Sequence, residues 1–111
     1  MQAARKERLT RNEAVFREVN ERIGDIAERL GNADQPYDYL CECSDPGCTE
    51  RVSLRQDEYE HVRADPTRFV VFPGHALEEL EIVVHQQSDH MLVEKIGVAG
   101  DVAEELDPRA A

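Results

Sequence analysis

Tryptophan is absent from the 111-residue chain, aromatic side chains are few, and no run of about 18 uncharged apolar residues occurs. The missing apolar run excludes a membrane-spanning helix. The first residues are basic but lack the apolar segment and cleavage site of an export signal, so we expect a cytoplasmic protein. The length suits one compact domain and is too short for two ordinary ones.

Basic residues are scarce, 13 against 24 acidic residues, which gives a formal net charge of −11. Such a surface repels phosphate, so we do not expect nucleic-acid binding over the whole fold. Residues 1–12 are the exception, with four bases against one acid, and nucleic-acid binding through this segment alone stays an alternative. An acidic surface suits a basic protein partner, whose association it would accelerate.

The first long element is predicted to be a helix. Thr10 and Glu13 have the spacing of a capping box at its start, and Gly31 suits a left-handed residue at its end. Between them lies an apolar seam with alternating steps of three and four residues: Phe16, Val19, Ile23, Ile26 and Leu30. We expect this apolar seam to pack onto its own domain, and a homodimer formed through it is the alternative.

The rest of the chain alternates between strand and helix patterns. Strands are predicted at 37–43, 51–54, 69–72, 81–85 and 90–94, and short helices at 55–64 and 101–106. The predicted class is α+β: an N-terminal amphipathic helix and a small, mostly antiparallel sheet with one or two short helices, organised around a structural metal site. We expect a flexible basic segment at 1–12, one domain at 13–106 and a disordered tail at 107–111.

All three cysteines lie within eight residues, as Cys41, Cys43 and Cys48. An odd and crowded set makes a poor disulfide framework, and clustered cysteines in a reducing interior bind metal or do redox work. The intervening turn residues Pro46 and Gly47 could fold the third sulfur back toward the first two, with Gly47 supplying a tight backbone conformation. Metal binding is therefore favoured over a redox dithiol or three inert buried thiols.

A tetrahedral zinc site needs a fourth ligand, and the chain offers four histidines. His75 is the predicted ligand, because it follows the rigid Pro73-Gly74 turn at the end of an apolar strand. It would reach the sulfurs if this strand runs beside the one that leads into Cys41. His61 is expected to be solvated on a helix. His85 and His90 are predicted to face each other across a hairpin, a weak signal of a second site.

Longer runs around these residues carry a resemblance that extends from about Phe16 to Lys95. They are Cys41-Glu42-Cys43, 48–52, 62–71 and Pro73-Gly74-His75. In them the chain resembles a family of small bacterial zinc-binding proteins of uncharacterised activity, so the resemblance implies no reaction. The cysteine spacing is also similar to the post-SET zinc motif of lysine methyltransferases. That motif uses a fourth cysteine, which this chain lacks, and we take only its local geometry.

The function predicted from the sequence is that of a non-enzymatic protein with a structural Zn²⁺, acting in protein–protein contact or regulation. The chain has no phosphate-binding loop, nucleophile elbow or helical zinc-protease motif. Three thiolates and one imidazole would also fill the metal shell. Two alternatives stay open: a redox or zinc sensor through Cys41 and Cys43, and a metal-dependent hydrolase with an open coordination position. Iron in place of zinc is also compatible with the ligands.

Overall fold

The computed structural model describes residues 2–31 and 34–109 and has the predicted α+β architecture. A 29-residue helix comes first, and five short strands and two short helices follow it. In chain order they are α1 (Gln2–Leu30), β1 (Pro36–Leu40), β2 (Arg51–Arg55), α2 (Gln56–Arg63), β3 (Arg68–Val71), β4 (Glu81–Gln86), β5 (Met91–Lys95) and α3 (Gly97–Glu105). Among these described residues, no helix combines the length and the apolar character needed to cross a bilayer.

The strands form two antiparallel sheets rather than the single sheet that was predicted. One sheet pairs β1 with β2, and the other has the order β3-β5-β4. The chain leaving β1 joins them, because the Glu42 N–H donates to the Val70 carbonyl on β3 over 2.9 Å. β1 itself ends at Leu40, so the cysteine segment is irregular backbone held beside β3.

The basic N-terminal segment, which was predicted as a flexible region at 1–12, is helical where the structure describes it. Residues 2–12 belong to α1, so Thr10 and Glu13 lie inside the helix and do not cap its start. Two ion pairs support this part of α1: Arg11 with Glu7 one turn earlier at 2.9 Å, and Arg5 with Glu79 at 2.8 Å. Met1 lies outside the described residues. At the other end Gly31 adopts φ 69°, as predicted.

The face of α1 that packs on the domain is polar, so the apolar seam is not the buried face that was predicted. Two of its five residues, Phe16 and Ile23, are half-buried, and the other three are exposed. The buried residues are Thr10, Glu13, Ala14, Arg17, Asn20, Gly24 and Ala27. Arg17 donates to the carbonyls of Pro66 and Ala103 at 2.7 and 2.9 Å, so its burial satisfies backbone acceptors on other elements. These hydrogen bonds fix which face of α1 turns inward.

The polar layer under α1 is centred on Lys95, which is buried at the end of β5. Its ammonium lies 2.5 Å from the Glu13 carboxylate and also pairs with Glu81. Burial raises the pKa of the Glu13 carboxyl to about 7, and it lowers the pKa of the Lys95 ammonium. We use the term polar layer for the buried side chains of Glu13, Arg17, Asn20, Glu42, Glu81 and Lys95.

The C-terminal segment differs from the predictions at three points. α3 begins at Gly97, four residues before the predicted helix. The β4–β5 register pairs His85 with Leu92 and Gln86 with Met91, so the hairpin loop is 87–90, one residue later than predicted. His85 and His90 therefore do not face each other. The expected tail is anchored as far as Arg109, which pairs with Glu21 at 2.7 Å and Glu60 at 2.8 Å. Residues 110 and 111 lie outside the described part.

Candidate metal centre

Two neighbouring segments bring the three cysteines and His75 together. Cys41, Cys43 and Cys48 lie on the irregular chain between β1 and β2, and His75 lies in the turn after β3. One ligand atom from each of the four residues lies within 4.8 Å of the others. The Nδ1 atom of His75 is 3.6 Å from the sulfur of Cys41 and 3.6 Å from that of Cys48. The predicted cluster is therefore assembled, and the cysteines are free thiols.

The spacing of these atoms fits a tetrahedral ion. With bonds of about 2.3 Å to sulfur and about 2.05 Å to nitrogen, tetrahedral zinc sets each sulfur about 3.6 Å from the nitrogen. Both measured sulfur–nitrogen distances have this value. Three soft sulfur donors and one imidazole are also the donor set of closed zinc sites. The residues present thus fit a divalent ion of the zinc type.

A turn at 45–48 returns the third sulfur to the first two. The Cys48 N–H donates to the Asp45 carbonyl over 3.0 Å, and the Asp45 side chain accepts from the Gly47 N–H over 2.9 Å. Gly47 lies in the tight turn, as predicted, but it does not have a positive φ. The Asp45 side chain stabilises the turn instead, and the backbone needs no unusual conformation.

The turn that carries His75 is of the tight kind predicted from Pro73-Gly74. The His75 N–H donates to the Phe72 carbonyl over 3.0 Å, and Gly74 has φ 87°. Proline followed by a residue of positive φ is the signature of a type II turn, which glycine adopts without strain. The Phe72 ring packs edge-on against the imidazole, 5.4 Å between centroids. The turn and this packing together direct the imidazole toward the sulfurs.

Burial and hydrogen bonds shift the pKa values of the three thiols in different directions. The hydrogen bond between the two thiols raises the pKa of Cys41 and lowers that of Cys43 to about 5. Burial raises the pKa of Cys48. The Phe72 N–H donates to the Cys41 sulfur over 3.1 Å, which favours its thiolate form. Cys41 and Cys43 are almost fully buried, so an oxidant has little access to them.

Glu42, between the first two cysteines, is a residue of the site that sequence reasoning missed. It is fully buried, and its carboxylate accepts from three groups: the Tyr59 hydroxyl at 2.6 Å, the Asn20 amide at 2.9 Å and the Val70 N–H at 3.0 Å. It therefore ties the cysteine segment to α1, α2 and β3. Its position between two ligands was the only indication in the sequence. In an extended chain successive side chains point to opposite sides, so Glu42 points away from Cys41 and Cys43.

The remaining histidines lie elsewhere. His61, His85 and His90 line a groove of about 580 Å³ between α2 and the β4–β5 hairpin. Over residues 2–31 and 34–109, no second group of three or more Cys, His, Asp or Glu side chains brings its ligand atoms as close as the Cys–His cluster does. The weak signal of a second metal site at His85 and His90 thus gains no support from the geometry.

Comparison with protein families, with curated proteins and with solved structures gives no match to this chain. The family resemblance described for the cysteine and histidine motifs therefore stays a prediction. The residues of the site form one Cys₃His group able to hold a metal ion.

Proposed function

We propose that Cys41, Cys43, Cys48 and His75 bind one Zn²⁺ ion in a structural role. The observation that carries this proposal is the convergence of four ligand atoms from two segments within 4.8 Å. The ion would join the chain between β1 and β2 to the turn after β3, where the backbone is irregular and has few ladder hydrogen bonds of its own. In a chain of 111 residues, such a link is a large share of the stability.

We further propose that the protein is not an enzyme and acts by contact with other proteins. Four protein ligands fill a tetrahedral shell and leave no position for a reacting water. Three thiolates also donate enough charge to make the ion a weak Lewis acid. The free thiols suit a reducing compartment such as the cytoplasm. The net charge of −11 suits a basic partner.

Metal content and ligand count test the zinc centre directly. The full chain, loaded with zinc and dialysed, should contain one ion per molecule, and X-ray absorption should give three sulfur neighbours and one nitrogen. The His75→Ala variant should bind zinc more weakly, because it loses a ligand. The His85→Ala variant is the matched control, since it removes a histidine outside the cluster and should bind as the unmodified chain does.

Three outcomes would count against the proposal. A chain that keeps no zinc, or a His75→Ala variant that binds zinc as tightly as the unmodified chain, would refute the ligand assignment. A spectrum with three sulfurs, no histidine nitrogen and one light-atom neighbour would mean an open coordination position, as in a metal-dependent hydrolase. Iron in the same ligand shell would correct the identity of the metal and leave the ligand assignment intact.

A further inference from the structure

We propose that two copies of this chain associate through an antiparallel pairing of their α1 helices. Because polar residues occupy the face that packs on the domain, much of the apolar side of the helix remains in contact with water. Four side chains, which we term the α1 stripe, are between 37% and 61% exposed: Val15, Val19, Ile26 and Leu30.

The α1 stripe is symmetric about the midpoint between residues 22 and 23. Val15 and Leu30 are equally far from this midpoint, and so are Val19 and Ile26. In an antiparallel pair with its two-fold axis there, Val15 meets Leu30 of the second copy and Val19 meets Ile26. The half-buried Ile23 lies at the centre. At 1.5 Å per residue, the stripe is about 22 Å long, enough for a helix–helix contact.

The charges beside the α1 stripe identify the occupant. At 100° per residue, four charged side chains fall on the same flank of the stripe, and their signs alternate along the helix: Glu18, Arg22, Asp25 and Arg29. A two-fold axis across the helices brings this flank against the same flank of the other copy in reverse order. These charge pairs are centred between residues 23 and 24, one residue from the midpoint of the stripe. With the axis of the stripe, Glu18 lies about 3 Å along the helix from the level of Arg29 of the second copy, and Arg22 about 3 Å from the level of its Asp25, an offset that these long side chains span. One pairing thus gives four ion pairs of opposite sign.

These four side chains are available for such pairs. Within the part of the chain that the structure describes, none of them forms an ion pair within 4.0 Å, although Glu7 and Arg11 do so one turn apart on the same helix. A parallel pair would set the charged flank against the opposite flank, which includes the buried Asn20 and Ala27. Only the antiparallel arrangement sets the exposed charged flank against itself.

The overall charge also favours α1 as the contact between copies. This helix has seven basic and six acidic residues, a net charge of +1. Because the total is −11, the rest of the chain carries a net charge of −12. Two acidic domains therefore repel each other least where their α1 helices meet. The proposal goes beyond the zinc centre and does not depend on it, because no metal ligand lies on α1.

Sedimentation of the full chain with and without Ile26→Asp tests the interface. The unmodified chain should form a dimer, and Ile26→Asp should weaken it at least about tenfold, because a carboxylate would be buried without a partner. Ile82→Asp is the matched control, since Ile82 is 49% exposed on β4 and is not part of the α1 stripe. A chain that stays monomeric at millimolar concentration would overturn the proposal. So would a dimer weakened by Ile82→Asp and not by Ile26→Asp.

The orientation has its own test in charge reversal. Arg22→Glu should weaken the dimer, because it sets two carboxylates against each other across the interface. Adding Asp25→Arg to the same chain should restore the dimer, since the pair is then reversed. Circular dichroism and zinc content, measured on the same samples, separate a lost dimer from a lost fold or a lost metal. A double variant as weak as the single one would refute the antiparallel order.

A zero-length carbodiimide coupling of Arg29→Lys locates the contact. Along one helix, residues 18 and 29 are about 16 Å apart, so an amide between Glu18 and the new lysine can form only between two chains. Mass spectrometry should find this link together with the link to Asp25 one turn away, which serves as the internal control. The Asp25 link without the Glu18 link would overturn the proposed pairing.

Discussion

The metal centre takes its four ligands from two short segments, 41–48 and the turn at 72–75, whereas the polar layer under α1 takes its groups from most of the chain. Glu13 and Lys95, for example, are ion-paired across more than 80 residues. Both clusters hold the same region around β3. The metal centre depends on donor atoms in a fixed geometry, whereas the polar layer depends on buried charges that neutralise each other. Glu42 links the two, because it belongs to the polar layer and lies between two ligands of the metal centre.

Removal of the metal should have the largest effect on this pair of clusters. Apparent zinc binding in small domains is worth about 10–16 kcal/mol, so a strong chelator should unfold much of segment 37–75 and lower the melting temperature. Hydrogen exchange should rise first at the Cys48, Phe72 and His75 amides, whose hydrogen bonds shape the site. An unchanged melting curve after complete loss of metal would show that the polar layer suffices to hold the fold.

Lys95→Met should be the most damaging single change in the polar layer. It leaves the Glu13 and Glu81 carboxylates buried together without a cation, and breaking such a group costs about 3–5 kcal/mol. Urea denaturation measures this loss. Lys6→Met is the control, because Lys6 is only half-buried on the first turns of α1. A loss no greater than that of Lys6→Met would show that the buried pairs contribute nothing net.

Glu42→Gln should have an intermediate effect and report on both clusters. An amide group would replace one of the two oxygens that accept the Asn20, Tyr59 and Val70 hydrogen bonds, at a cost of about 1–3 kcal/mol. Zinc affinity should also fall, because Glu42 positions the chain between two ligands. Glu50→Gln is the control, an exposed carboxylate in the same loop. Lower stability with unchanged zinc affinity would show that Glu42 supports the polar layer and not the metal centre.

Asp107→Asn should have the smallest effect, about 1 kcal/mol, because the buried Arg63 keeps its ion pair with Glu21, and the effect should depend on pH. Burial opposes ionisation of Asp107, but hydrogen bonds from the Arg109 N–H and from Arg63 outweigh it and lower the pKa of this carboxyl. A carboxyl whose pKa is lower in the folded state stabilises the fold above its unfolded pKa of about 3.9. The difference in free energy of unfolding between the unmodified chain and Asp107→Asn should therefore be present at pH 7 and shrink as pH falls below 4. A difference that stays constant down to pH 2 would contradict this.

The same contrast explains which parts could be predicted from sequence. The cysteines, the Pro73-Gly74 turn and the end of α1 at Gly31 depend on residue types whose local geometry is narrow, so neighbouring residues were enough. The inward face of α1 was predicted wrongly, because periodicity ranks faces by hydropathy and cannot foresee that Arg17 finds two carbonyl acceptors on distant elements. Glu42 looked like one of many surface acids for the same reason.

The sequence by itself determined the α+β class, the donor atoms of the candidate centre and the excess of negative charge, since these follow from residue type and short-range spacing. Tertiary structure alone decided that His75 meets the sulfurs, that the polar layer is buried and that the α1 stripe faces water. Each of these depends on groups far apart in the chain, and the free energy of a buried charge or an unpaired apolar face is set by what the fold places beside it.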